Sequence, residues 1–296
     1  MTLAPVYPSA PAAGSSALTG SAPTASALTG SALGGLAARC PALDARIAEP
    51  GSRTPQGWAD GAELAGSPRF LDALLDAEAL RVEHGHGRTP RPDVAASRVL
   101  HDYLWSVGLL MSGPWCLERR VPRLRPRDVR VSLTTGAFSV VPGGFACLPG
   151  DPAAALPGVR VLPHEEALRA ELRAGFAGHV RPLLTAIAPL VRRGPRALWG
   201  MAGDDLVSGV WYLGRMLGEE ERGVRAASEL LPGPVPPFPC GADFRRLAGR
   251  EGRTYPTRTR TGCCLHYTIR PAEACGTCPR TGDAERLRRL EGDPSG

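Results

Sequence analysis

This chain contains no lysine, so all 35 of its basic side chains are arginine. With 36 glycines, 30 prolines and abundant alanine alongside, that bias reads as the drift of a GC-rich genome rather than a surface selected for one partner. Long apolar runs are also missing: nowhere do about 18 apolar residues follow one another, so neither a transmembrane helix nor stable membrane insertion is expected. Charge is absent from residues 1–38, which repeat Ser-Ala-Leu-Thr-Gly-Ser-Ala at 16–22 and again at 26–32. Small residues of this kind bury too little apolar surface to offset the entropy of ordering, and residues 1–42 read as a disordered tail. The tail also lacks the basic start and compact apolar stretch of a secretory signal, and a cytoplasmic protein is expected.

Nucleotide motifs are missing as well. Gly85-His86-Gly87 follows a helical pattern and has no third glycine in register, and there is no P-loop, H-E-x-x-H or G-x-S-x-G. The chain therefore offers no flavin, NAD or nucleotide site of its own, and if it moves electrons it must take them from a separate donor. The net charge of +6 and pI near 9.1 invite a nucleic-acid reading, but that reading also needs a recognisable reader fold. The one basic cluster is Arg245, Arg246, Arg250, Arg253, Arg258 and Arg260, directly before a group of cysteines. It is either a solvated linker, a means of offsetting a nearby anionic cofactor, or a docking face for an acidic electron-transfer protein.

What the chain does have is Cys263-Cys264 followed after ten residues by Cys275-Gly276-Thr277-Cys278-Pro279. Thiolates grouped this tightly suggest a metal site rather than disulfides. The C-x-x-C half occurs in zinc ribbons, iron-sulfur proteins and redox sites alike. The vicinal half is more informative, because extended backbone sends successive side chains to opposite faces, so adjacent cysteines converge poorly on one ion. They suit a core with more than one metal atom, and a [2Fe-2S] cluster held by four cysteines meets that demand. Zinc remains the alternative. Cys40, Cys116, Cys147 and Cys240 lack ligand spacing and read as packing or incidental thiols. His84, His86, His101, His164 and His179 show no ligand arrangement, whereas His266 is placed to hydrogen-bond near the cysteines or to replace one as a ligand.

The run Gly262-Cys263-Cys264-Leu265-His266-Tyr267, then Cys275-Gly276-Thr277-Cys278-Pro279, resembles the C-terminal signature of the FhuF-type ferric-siderophore reductases, in which C-C-x10-C-x2-C binds a [2Fe-2S] cluster. The resemblance carries the ligand roles onto Cys263, Cys264, Cys275 and Cys278. Ala197-Leu198-Trp199-Gly200 is similar to the stretch that precedes the cysteines in many members. A reductase of hydroxamate-type ferric siderophores is implied, serving iron transport and fed by an external donor such as a ferredoxin or flavin reductase, with no nucleic acid among its partners. Tyr267, Arg258 and Arg260 beside the cluster, with Trp58 and Trp199 in glycine-rich surroundings, are candidates to touch it or to line a substrate cleft. The rival functions are a zinc-binding module that contacts nucleic acid or protein, and a siderophore-handling accessory that reduces nothing.

Hydrophobic spacing gives the expected architecture: an α+β protein, mostly helical with a small β-sheet, plus a small C-terminal iron-sulfur domain. A helix is expected from Ser67-Pro68 with Leu71, Leu74, Leu75 and Leu80 on its apolar face. A second should run from about Asp93 to Met111 and stop at Gly113-Pro114. Short strands are expected at 129–133, 137–141 and 159–162. A helical region from His164, broken or kinked at Pro182 and Pro189, should precede another from about Pro195 to Glu220. The division that follows is 43–231 as a siderophore-binding domain, 232–244 as a proline-rich linker and 245–296 as the cluster domain.

Overall fold

The computed structural model describes residues 23–270 and 274–292. The first copy of the repeat, at 16–22, lies outside them. The second copy is part of a helix, α1 (Ala25–Arg39), where composition alone reads as tail. Thr24 caps it by accepting the Ala27 N–H on its hydroxyl. Ala25, Thr29, Leu33 and Leu36 then fall on one face and are buried. Fully burying a leucine contributes roughly 1.5–3 kcal/mol, so Leu33 and Leu36 supply what the surrounding small residues cannot.

The chain continues through β1 (Ala45–Ile47), β2 (Trp58–Asp60), α2 (Gly61–Gly66), α3 (Pro68–His86), α4 (Pro92–Glu118), β3 (Val121–Pro122), β4 (Val129–Ser132), β5 (Phe138–Val140), β6 (Phe145–Cys147) and β7 (Val159–Val161). After these come α5 (Glu165–Val191), α6 (Pro195–Met216), α7 (Glu220–Leu230), β8 (Arg245–Ala248), β9 (Thr254–Thr257) and α8 (Asp283–Leu290). The class is α+β: helices enclose the core, and the sheets are small. One has the order β1-β5-β4-β2, another β3-β6-β7, and β8 pairs with β9 as a two-stranded ribbon. The expected strands after Pro122 are β4, β5 and β7. The strands β1, β2, β3 and β6 lie outside the expected set.

Helix α4 is the spine, packed against α1, α3, α5 and α6. It does not stop at Gly113-Pro114 but runs on to Glu118, where Arg119 in the left-handed region (φ 55°) closes it. Likewise α5 passes through Pro182 and Pro189 as one helix. Magnitudes decide both cases. A proline inside a helix costs about 3 kcal/mol, whereas Val180, Leu183, Leu184, Ile187 and Val191, all buried around the two prolines of α5, contribute roughly 1.5–3 kcal/mol each. By length and hydropathy α5 is the one described helix that could cross a membrane, but this same apolar face is buried inside the protein.

In α3 the buried stripe is Leu71, Leu74, Glu78 and Val82, while Leu80 is exposed. A hundred degrees per residue carries position 80 off the stripe and brings Glu78 onto it. Burial raises the Glu78 pKa, and the Arg98 and Arg81 guanidiniums oppose that rise. The proline-dense segment 232–244 is no free spacer. Phe238, 1% exposed, packs with ring centroids 6.3 Å from Phe176 and 5.8 Å from Trp199. The Ala242 N–H donates to Leu231 O at 2.8 Å. The cysteine segment therefore follows the body without slack.

Candidate metal centre

Two adjacent carboxylates in an otherwise apolar stretch of α6 anchor the cysteine segment. Asp204 and Asp205 are 2% and 0% exposed, and a carboxylate so deeply buried needs partners. Successive positions on a helix point about 100° apart, so the two serve different groups. Asp204 accepts four hydrogen bonds: from Arg258 Nη2 at 2.6 Å, Thr261 N at 2.7 Å, Gly262 N at 2.8 Å and Thr261 Oγ1 at 3.0 Å. It therefore grips the main chain immediately before Cys263. Gly262 sits so close to α6 that a Cβ there would lie 3.1 Å from Met201 Cα and would overlap the Met201 side chain. Asp205 instead accepts from Arg260 Nη2 at 2.6 Å and from His101 Nδ1 at 2.8 Å.

Beyond this anchor the chain turns back on itself. Leu265 is left-handed (φ 62°), and the turn brings its N–H to 3.4 Å from Cys263 Sγ and the His266 N–H onto Cys264. At the second pair, Cys278 N donates to Cys275 O at 2.9 Å, closing the Cys-Gly-Thr-Cys hook, and Arg260 N donates to Thr277 O at 3.0 Å, tying the hook to the strand that leads to the first pair. Arg286 of α8, 2% exposed, clamps the hook by donating from Nε to Gly276 O at 2.8 Å and from Nη2 to Cys278 O at 2.6 Å. The inner sulfur residues Cys264 and Cys278 are buried and Cys263 and Cys275 half-buried. Residues 271–273, between the pairs, lie outside the described residues.

The four thiols act on one another. A hydrogen bond shared between Cys264 and Cys275 lowers the pKa of the first and raises that of the second. Burial raises Cys263, and the neighbouring Cys264 and Cys278 add to the rise. Cations from several elements lie within electrostatic reach: Arg98 and His101 of α4 and Arg260 beside Cys264, and Arg193 beside Cys263. Burial disfavours the His101 imidazolium, but the Asp205 carboxylate outweighs that and holds its pKa above the ordinary histidine value. Main-chain donors aimed at sulfur, buried inner thiols and a cationic surround suit a dianionic thiolate-held cluster, whose potential responds to such features. Among the described residues no three His, Cys, Asp or Glu side chains converge on a point as a single ion would need. All eight cysteines are free thiols.

The six-arginine cluster is not one face. Arg258 and Arg260 are buried, at 1% and 4% exposure, and are spent on the two aspartates. Arg245 pairs with Asp283 and Arg246 with Glu221, while Arg250 reaches Glu291 and Arg253 reaches Glu251. Of the two basic candidates, only Arg260 faces the thiols. The His266 ring stands edge-on to His86, with centroids 6.3 Å apart, and Arg280 covers the Tyr267 ring at 4.3 Å. Trp58 lies under Arg46 at 4.3 Å, and Trp199 lies under Arg181 at 5.0 Å against Phe238. Asp204, Asp205, His101 and Arg286 were not singled out by sequence reasoning. Their one legible signal was the Asp-Asp pair inside the apolar stretch 201–210.

Comparison with curated proteins gives no match. Residues 260–280 match the family model described as the FhuF 2Fe-2S C-terminal domain, a span that holds all four clustered cysteines and the Arg260 anchor. The C-terminal segment of this chain is thus similar to the FhuF 2Fe-2S domain, and its cofactor is a [2Fe-2S] cluster.

Proposed function

We propose that this protein is a cytoplasmic ferric-siderophore reductase, that Cys263, Cys264, Cys275 and Cys278 hold its cluster, and that its substrate is Fe(III) in a hydroxamate-type siderophore. The observation that supports the reading most is the match of residues 260–280 to the FhuF 2Fe-2S domain, on a segment whose sulfurs already receive main-chain N–H groups. When bound, the cluster supplies one electron at a time, accepted from an external donor such as a ferredoxin or flavin reductase and passed to Fe(III), which becomes Fe(II). Hard oxygen ligands hold Fe(III) far more strongly than Fe(II), so that electron loosens the metal while the organic chelator stays intact.

The residues of the chain position and tune; none needs to act as acid, base or nucleophile. Asp204 fixes the approach to Cys263, Arg286 fixes the hook, and Arg260 with His101 places positive charge beside Cys264. That charge stabilises the reduced, more anionic state of the centre and raises its potential. The test is anaerobic. Dithionite-reduced protein, freed of excess reductant and mixed with a ferric hydroxamate, recovers its oxidised visible spectrum as Fe(II) appears. A reduced spectrum unchanged by any ferric siderophore overturns the reading, and a colourless preparation with stoichiometric zinc and no acid-labile sulfide overturns the ligand set.

A further inference from the structure

Beside the cysteine hook lies a cleft of about 450 Å³, within the range of small-molecule sites. The hook lines it through Ala274, Gly276 and Thr277, on either side of Cys275. Trp105, Trp211 and Tyr212 give it an aromatic side, with Trp105 edge-on to Tyr212 at 5.4 Å. Among the described residues its charged lining is of one sign, Arg215, Arg260, Arg286 and Arg289, with no Asp or Glu. The carboxylates that pair with these arginines are Glu220, Asp205, Asp283 and Glu285. None of them lines the cleft.

The four arginines are not equally engaged. Arg286 is used up by the hook carbonyls and Asp283. Arg260, 4% exposed, is held by Asp205 at 2.6 Å, so it gives the cleft positive charge rather than an open donor. Arg215, 55% exposed, meets Glu220 only at 3.6 Å and keeps its terminal nitrogens for another acceptor. We propose that this cleft receives the ferric chelate and selects chelates of net negative charge, taking a carboxylate outside the iron shell on Arg215, with the positive charge of Arg260 behind it. This rests on the reductase reading and adds the charge class of its substrate. The aromatic side packs the organic arms of the chelate, and the iron comes to rest next to the hook that carries Cys275.

Two probes with one iron shell test it: a ferric linear trihydroxamate ending in a protonated amine, and the same chelate with that amine succinylated to a carboxylate. Calorimetric titration into the oxidised holoprotein at low ionic strength reads binding without electron transfer. The carboxylate form should bind about tenfold or more tightly, as one charge-assisted hydrogen bond implies. The ratio should fall to within about twofold in Arg215→Gln and at about 0.5 M salt, and it should persist in Arg246→Gln, whose side chain pairs with Glu221 away from the cleft. Equal affinities, tighter binding of the amine form, no binding of either, or an equal loss in both variants overturns the proposal. Mixing each chelate with reduced protein separates the two readings. Electron transfer to both without a binding difference removes the cleft assignment alone, and selective binding without electron transfer removes reduction alone.

Discussion

The first cysteine pair hangs from the helical body and the second from the tail that follows it. Cys263-Cys264 is positioned by a carboxylate of α6, Asp204, which gathers Arg258 and the main chain at 261 and 262. The Cys275–Cys278 hook is positioned by a guanidinium of α8, Arg286, which gathers two carbonyls. An acid collects donors and a base collects acceptors, so each half of the site has its backbone satisfied by a buried charge of opposite kind. The difference is one of dependence. The geometry of the first pair is only as good as the packing of the body, whereas that of the second is set by a turn and a short helix a few residues away.

Asp204→Ala should break the comparison hardest. It leaves Arg258 buried without its carboxylate, a loss of about 3–5 kcal/mol, and the melting temperature and iron content should fall together. The next largest effect concerns the body alone. His179 is buried between Tyr103 Oη and Leu124 O, each at 2.9 Å, and burial lowers its pKa from 6.5 to about 4. Between those values the unfolded chain binds the proton and the folded one does not. Stability is therefore full above pH 6.5 and declines as pH falls toward 4, by up to about 3 kcal/mol. Denaturant titrations across that window should follow this slope in the native protein and lose most of it in His179→Gln.

A smaller, local effect is expected on the tail side. Arg286→Met strips the donors from Gly276 O and Cys278 O, about 1–3 kcal/mol for each carbonyl left unsatisfied. Iron should pass to a strong chelator several times faster while the helical melting transition barely moves, the reverse of the Asp204 pattern. Asp205→Asn also leaves a buried arginine, Arg260, short of its carboxylate, and its distinctive readout is electrical. It keeps the shape but removes a negative charge next to Arg260, so at a pH high enough that His101 is neutral in both proteins the midpoint potential should rise by about 60 mV, the one-electron equivalent of a tenfold shift. An unchanged or lower potential in a redox titration would show that these charges do not reach the centre.

Much of this was legible in sequence because it is local. The C-C-x10-C-x2-C spacing lies within sixteen consecutive positions, Ser67-Pro68 marks the start of α3, and Thr134-Thr135-Gly136 separates two alternating strands. What escaped depends on contacts distant in the chain. Helix α1 looked like tail because its small residues hide the Leu33 and Leu36 face, which matters only once α4 is there to receive it. Pro114, Pro182 and Pro189 looked like breaks because the cost of a proline is local and the burial that outweighs it is not. The Asp204–Arg258 and Asp205–Arg260 pairs span 54 and 55 positions. Each half is unremarkable alone, and an arginine run before the cysteines reads as surface until the buried acids are found.

The hold of Asp204 on Thr261 and Gly262 bears on how far the motif is portable. A fragment cut at the proline segment would carry every sulfur and the Arg286 brace, yet would leave behind the helix against which its first turn is moulded. The signature that identifies the domain is therefore shorter than the unit that builds it, and transplanting the centre into another scaffold would mean bringing α6 along.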